Sequence, residues 1–255
     1  MDVETRELQQ QLTEAGQLPE VLILKPITTS TNDDVREIAQ KGVQSVLVCS
    51  TRQTHGRGQR QRQWVSPEGN IYLSTLLNLR TPVNGRLALE IALNILQMPS
   101  LQALNLQVKW PNDLYSPQGK WGGILIEAIS AQQVIVGVGL NLAPVSSAVI
   151  DQKTTSLTEL GLVSIDRVRL IAELYLAIQQ ACDWFNHDCY NLASRFNHHA
   201  AFMQQQVEFE HFKGTCQGTF LGIQDDGAVQ IETAQGLEVF YQGRLRPIDH
   251  AESSS

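Results

Sequence analysis

The sequence predicts an α+β protein: a mixed, mostly antiparallel sheet backed by helices, followed by a small C-terminal β-barrel of SH3-like size. Three observations predict it. Short apolar runs of strand length are interleaved irregularly with longer amphipathic stretches, which suits α+β better than a doubly wound sheet. The polar link "SAQQ" (130–133) between two apolar runs marks an antiparallel pair. After about Met203 the texture changes to strict two-residue alternation with hairpin signals.

Each element follows from local pattern. Residues 1–20 are polar and rich in Gln and Glu, with a weak helical spacing at Leu8, Leu12 and Leu18, and are read as a short helical lead-in or tail. "VLILKPI" (21–27) is a continuous branched apolar run, hence a buried strand. "STNDDVREIAQKG" follows as a helix, with Ser30, Thr31 or Asn32 at its start, acids in the first turn and Gly42 as a stop. "SVLVCST" (45–51) and "NIYLSTLLNL" are strands on either side of a cationic loop, and "GRLALEIALNILQ" (85–97) is a helix with an almost wholly apolar face. Next come strand "LQVKW", loop "PNDLY", and strands "GGILIEAI" and "VIVGVGLNL". Between Asp166 and Asn186, Val168, Ile171, Tyr175, Ile178, Cys182 and Phe185 step by three and four, as on a helix packed against a sheet. In the last part "VEFEHF", "GTFLGI" and "AVQIET" are strands and "DDG" (225–227) is a hairpin turn. The organisation expected is therefore a lead-in (1–20), a main domain (21–203), a small β-domain (204–250) and a tail (251–255).

Composition narrows the function class. At 255 residues and 42% hydrophobic, the chain can bury a large core. A net charge of −7 argues against broad phosphate-backbone binding, so no DNA partner is expected. The first residues lack a basic-then-apolar signal and no apolar run approaches membrane-spanning length, so a cytoplasmic protein without membrane contact is expected. Cys49, Cys182, Cys189 and Cys216 have no CxxC spacing and are read as reduced structural thiols.

Against this acidic balance stands "THGRGQRQRQW" (54–64), with three arginines and no acid. Gly56 and Gly58 leave backbone N–H groups unobstructed, so the segment can curl round an anion. Arg57, Arg60 and Arg62 offer forked donors to carboxylate or phosphate oxygens, and Trp64 offers a plate for a heterocycle. That inventory suits a nucleotide; a solvated loop with Trp64 turned into the core suits it equally. No P-loop is present, and neither "GRG" nor "GVG" extends to G-x-G-x-x-G. In "KWPND" (109–113), Asn112 and Asp113 are oxygen ligands of the kind Mg²⁺ accepts beside phosphates, or simply the turn after Pro111. Lys120 precedes Gly122 and Gly123, where backbone and substrate can approach; an exposed lysine is the ordinary alternative. Asn141 ends a strand whose two glycines either keep one face open or mark a bulge.

"STN" (30–32), "QTHGRGQRQRQW" (53–64), "KWPND" (109–113), "KWGGILIE" (120–127) and "VGVGLN" (136–141) occur in the order and at about the spacing seen in bacterial biotin–protein ligases. Over roughly residues 21–250 the chain resembles that family. The resemblance implies a catalytic domain of the class II synthetase-like type with an SH3-like β-domain. It also implies an enzyme that joins biotin to ATP as biotinyl-5′-AMP, with Mg²⁺. The biotinyl group then passes to a lysine of the biotin carboxyl carrier protein of acetyl-CoA carboxylase. Arg57 and Lys120 are implied as the catalytic cations. Ser30, Thr31, Asn32 and Gln53 are implied for the ureido head of biotin, with Gly56, Gly58, Gly122 and Gly123 beside it. Arg60, Arg62, Trp64, Lys109, Asn112 and Asn141 are implied for ATP, and Asn112 and Asp113 for Mg²⁺. The loop is implied to order with ligand.

Two departures stand out. The family loop reads GRGRxGRxW, whereas here Gln59 replaces an arginine and Gln61 a glycine, which implies a weaker hold on the adenylate. Only about 20 residues precede the first core strand, so the winged helix of bifunctional relatives is not expected. A lipoate or octanoate ligase, or a non-catalytic biotin-sensing regulator, are the alternative readings, and homodimerisation is left open.

Overall fold

The computed structural model describes residues 2–145, 152–164, 166–187 and 191–248. Cys189 and the expected tail lie outside the described residues. In chain order the elements are α1 (Val3–Glu14), β1 (Val21–Thr28), α2 (Thr31–Ala39), β2 (Val46–Gln53), β3 (Ile71–Asn78), α3 (Arg86–Leu96), β4 (Gln107–Lys109), β5 (Asp113–Ser116), β6 (Gly119–Ala128) and β7 (Gln133–Leu140). They continue with α4 (Arg167–Asn186), α5 (Leu192–His199), β8 (Gln206–His211), β9 (Gly214–Ile223), β10 (Val229–Thr233), β11 (Gly236–Phe240) and β12 (Arg244–Pro247).

The first seven strands form one sheet in the order β1-β2-β3-β7-β6-β5-β4. β1 and β2 are parallel, joined across α2, and the other neighbours are antiparallel. The side-chain period of two sorts each strand between two environments. On β2, Leu47 and Cys49 enter the main core under α1, α3 and α4, while Val46 and Val48 pack with Val35 of α2. On β7, Val134, Val136, Val138 and Leu140 belong to the main core and Ile135 to the α2 side. One face of the sheet is thus almost wholly apolar, with Thr75 a buried polar exception, and α2 covers only part of the other. Each fully buried leucine or valine on the covered face contributes about 1.5–3 kcal/mol.

One element is firmer than the sequence reading and two differ from it. The polar lead-in contains a full helix, α1, whose start is capped by Asp2: its Oδ1 accepts from the Thr5 amide at 2.8 Å. Leu8 and Leu12 are fully buried in the main core, so a weak pattern of two leucines suffices once α4 supplies the partner surface. "PNDLY" is not wholly loop: β5 starts at Asp113, opposite Lys109 of β4. Helix α5 was not anticipated, because only Leu192 and Phe196 of its eight residues are buried and the period is too short to read.

The second sheet is antiparallel, in the order β11-β10-β9-β8-β12. Val207, Phe209, Phe220, Ile231 and Leu245 fill its interior, as the alternation predicts. The Asp225–Gly227 turn links it to the main sheet: the Trp110 indole N–H donates to the Gly227 carbonyl at 3.0 Å. Among the described residues no helix is long and apolar enough to cross a membrane.

Candidate active site

A cleft of about 920 Å³, open to solvent, lies on the partly covered face of the large sheet. Its floor follows from strand parity. Gly137 and Gly139 alternate with the core residues Val136, Val138 and Leu140, and Gly123 alternates with Ile124, so all three glycines face the cleft. A Cβ on Gly137 would collide with the Asn32 amide, and one on Gly139 would lie 2.6 Å from the Trp64 indole nitrogen. The floor is open because these positions carry no side chain.

The cleft's inner end is a buried polar network. The Thr31 amide and hydroxyl both donate to Gln53 Oε1, at 2.9 and 3.2 Å, and Gln53 Nε2 donates to Ser66 Oγ at 3.1 Å. Ser74 Oγ lies 2.7 Å from Thr31 Oγ1 and 2.6 Å from Asn32 Oδ1, while Asn32 Nδ2 donates to Glu127 at 2.9 Å. Ser30 stands at the start of α2 beside them, also on the cleft wall. Fixed donors and acceptors in a buried pocket favour a ligand head with a complementary polar edge.

The loop between β2 and β3 forms one side. It is a short hairpin, with the Gly58 amide donating to the Arg62 carbonyl at 2.8 Å and the Trp64 amide to the Gly56 carbonyl at 2.9 Å. Arg60 and Gln61 at its tip hold left-handed backbone, φ 56° and 61°. Gly56 lies at the base rather than on the cleft wall: a Cβ there would strike Ser66 Oγ and come 2.5 Å from the Trp64 carbonyl oxygen. Arg57, Gly58, Arg60, Arg62 and Trp64 all line the cleft. Arg57 makes a two-pronged pair with Asp33 at 2.6 and 2.7 Å, which holds the Asp33 carboxyl below the usual carboxylate range. Trp64 is half-buried, with no hydrogen-bond partner for its buried indole N–H.

The opposite wall is β4 to β6. Lys120 Nζ sits 2.6 Å from Asp113 Oδ1 and 5.0 Å from the centre of the Trp64 ring. Lys109 Nζ approaches the other Asp113 oxygen at 3.7 Å, and burial pulls its ammonium below the ordinary lysine range. Arg57 and Lys120, 63 positions apart in the chain, therefore border one cavity. Asn112 also lines it, held by its Nδ2 on the Ile124 carbonyl at 2.6 Å. This donor set does not fit a resident Mg²⁺. Asp113 is committed to two ammonium groups, which leaves Asn112 Oδ1 as the free oxygen of the pair. Among the described residues no group of three or more His, Cys, Asp or Glu is set to hold a metal ion.

Two further expectations need correction or refinement. Gly122 does not border the cleft: by parity it faces the core, where a Cβ would meet Leu114, Leu140 and the Gly139 carbonyl. Asn141 lies in an adjoining cavity shared with Gly58, Arg62, Trp64 and Lys120, its Nδ2 held by the Thr155 carbonyl at 3.1 Å. The sequence reading passed over several residues. Ser74, beside Thr75, was visible as a polar residue in an otherwise apolar strand, whereas Gly137 and Gly139, the two glycines expected to keep one face of their strand open, line the cleft. Gln152, and Gly243 and Arg244 at the start of β12, reach the cleft only through tertiary packing and left no local signal.

Comparison with known proteins agrees with this geometry. The model of the Biotin/lipoate A/B protein ligase family matches residues 24–141. The biotin--[acetyl-CoA-carboxylase] ligase of Paracoccus denitrificans is 31% identical over 231 residues, covering 83% of this chain and 94% of the relative. The bifunctional ligase/repressor BirA of Escherichia coli is 30% identical, covering 81% and 68%. Among solved structures, the biotin protein ligase of Aquifex aeolicus in complex with biotin and ATP matches with a TM-score of 0.79 at 26% identity, over 90% of this chain and all of that one. At this identity and coverage, and on the same fold, the chain belongs to the biotin/lipoate A/B protein ligase family and, within it, to the biotin protein ligases.

Proposed function

We propose that the cleft binds biotin and ATP, makes biotinyl-5′-AMP, and passes the biotinyl group to a lysine of a biotin carboxyl carrier protein, that of acetyl-CoA carboxylase. The observation that carries this reading is the meeting of Arg57 and Lys120 over a glycine floor. In the first step a biotin carboxylate oxygen attacks the α-phosphorus, and the bond to the bridging oxygen breaks as pyrophosphate leaves with the electron pair. Two anions must approach, and at ~4 Å two unit charges repel by about 4 kcal/mol at an effective dielectric near 20. Arg57 on the loop and Lys120 on the far wall offset that repulsion, with Lys109 behind. In the second step the carrier amine attacks the acyl carbon and AMP departs, while the amine's surplus proton passes to solvent. No protein nucleophile is required.

Thr31, Asn32 and Gln53 supply the polar edge that suits a ureido ring, with Ser74 bonded behind Thr31 and Asn32, and Ser30 closes it. Arg60, Arg62, Trp64, Lys109, Asn112 and Asn141 are assigned to the nucleotide, with the cavity beside Trp64 taking the heterocycle. When bound, Mg²⁺ would bring charge neutralisation with the triphosphate rather than from a protein cage. The small β-domain, residues 204–250, closes this side through Gly243 and Arg244. The free thiols of Cys49, Cys182 and Cys216 support a reducing, cytoplasmic setting, and the net charge of −7 supports a role without DNA.

The test combines purified protein, ATP, Mg²⁺, biotin and an apo carrier domain, with mass spectrometry for the added biotinyl group. No mass gain on the carrier, or ATP–pyrophosphate exchange driven by lipoate in preference to biotin, overturns the assignment. Loop amides 54–64 should gain protection from hydrogen exchange when biotinyl-AMP binds.

A further inference from the structure

Two adjacent acids open α2, and they serve different neighbours. Asp34 turns back to β1, accepting from Lys25 Nζ at 2.8 Å and from the Thr28 hydroxyl at 2.7 Å. Asp33 turns outward to the loop and takes both terminal nitrogens of Arg57 in a fork, at 2.6 and 2.7 Å. Such a two-pronged pair fixes the plane of a guanidinium as well as its position. Glu127 lies 3.6 Å from the same Arg57 nitrogen and also accepts from Asn32 and Arg36, so the guanidinium is framed by two carboxylates.

Arg57 is on the cleft wall and Asp33 is not. A guanidinium carries five N–H groups, so the fork leaves donors over for an arriving anion. By contrast Arg60 of the same loop pairs with Glu210 at 3.8 Å, a largely exposed and weak contact. A merely helix-capping acid at this position would need no such partner, since a carboxylate in the first turn is already favoured by the helix dipole.

We propose that Asp33 is the positioning residue for Arg57: it holds the guanidinium at the cleft before ligand arrives, so that the loop meets the reacting carboxylate with its cation already oriented. The inference rests on the reading of Arg57 given above. Asp33 touches no reacting atom and acts through the arginine. Its loss therefore weakens the step in which charge is neutralised and leaves the polar end of the cleft intact.

The experiment uses the full chain and the variants Asp33→Asn, Asp33→Glu and Arg57→Ala. It measures ATP–pyrophosphate exchange with biotin, and affinity for biotinol, the alcohol analogue that lacks the carboxylate. Asp33→Asn should lower kcat/KM for exchange by about tenfold to a hundredfold, the scale of a misplaced catalytic group. Biotinol affinity should stay within about twofold and Asp33→Glu should restore much of the loss, because only the charged fork matters to the reacting centre. In the Arg57→Ala background Asp33→Asn should add almost nothing, as for two residues that act as a unit. Unchanged exchange in Asp33→Asn, equal losses in both backgrounds, or a parallel loss of biotinol binding would each overturn the positioning role. Wild-type exchange in Arg57→Ala alone would instead overturn the reading of Arg57 on which it stands.

Discussion

The two faces of the seven-stranded sheet are built to opposite rules. On the covered face, Leu47, Leu73, Val136, Val138 and Leu140 are buried without a polar atom among their side chains. On the other face the same strands present Ser74, Gly123, Gly137 and Gly139, then a network of amides, hydroxyls and paired charges. The first face removes apolar area from water and provides rigidity. The second leaves space and keeps ions in a half-buried setting, which costs stability and makes charge chemistry possible. Binding sites sit on rigid supports for this reason: a floor that moved by an ångström would misplace every group above it.

The largest expected effect breaks the cleft side alone. Arg57→Ala or Lys120→Ala should slow biotinyl-AMP formation by up to ~1000-fold, following from about 4 kcal/mol of unrelieved repulsion. Thermal unfolding should move little, since neither side chain belongs to the core. Pre-steady-state formation of biotinyl-AMP and a melting curve check both halves. The mirror experiment breaks the covered face: Leu73→Ala, at a fully buried position, should cost about 2–5 kcal/mol in urea unfolding while leaving KM values near normal in the folded fraction.

A smaller change tests the floor. Gly139→Ala places a methyl 2.6 Å from the Trp64 indole nitrogen, so the ring must shift. KM for ATP should rise by about tenfold, the equivalent of losing one aromatic contact of ~1–1.5 kcal/mol, with stability nearly unchanged. Equal KM values for the variant and the parent would sever Trp64 from the nucleotide. Next comes the loop's own departure. Gln59 lines the cleft, and Gln59→Arg should slow biotinyl-AMP dissociation by about tenfold through one charge-assisted hydrogen bond of ~1–2 kcal/mol. Stopped-flow tryptophan fluorescence reads that rate.

The smallest effect concerns Lys109, whose ammonium burial holds below the ordinary lysine value. A depressed lysine pKa means the folded state binds its proton less tightly than the unfolded chain does. Stability from this group therefore rises with pH from its folded value up to its unfolded value, and below that window the buried charge is a penalty. Lys109→Met should remove the penalty, raising stability at neutral pH by about 1 kcal/mol and flattening the alkaline rise, while ATP use weakens. Urea titrations at pH 7 and pH 10 compare the two proteins.

Much of the molecule was legible before folding. Branched runs such as Val21–Leu24 and Val134–Val138 can only be strands when bounded by polar breaks, and the stepping of Val168, Ile171 and Tyr175 can only be one helical stripe. The cationic loop was visible because three arginines and no acid within 11 residues contradict the charge of the whole. Local chemistry and period are properties of the chain itself, so the sequence alone determined most element types, the α+β class and the cations Arg57 and Lys120 as candidates, while Asn32 and Gln53 were implied only by the family resemblance.

Only the tertiary structure decided which partner each candidate meets. That Gly123 faces the cleft and Gly122 the core depends on register, since one residue along a strand exchanges the faces. That Asp113 answers two lysines and is not a free metal ligand depends on the β4–β5–β6 pairing. That Asp33 and Arg57 grip each other across 24 positions, and that β12 brings Arg244 to the same cleft, depends on packing of distant segments. Long-range encounters carry no periodic trace in a single chain, because their geometry exists only once the whole core has closed.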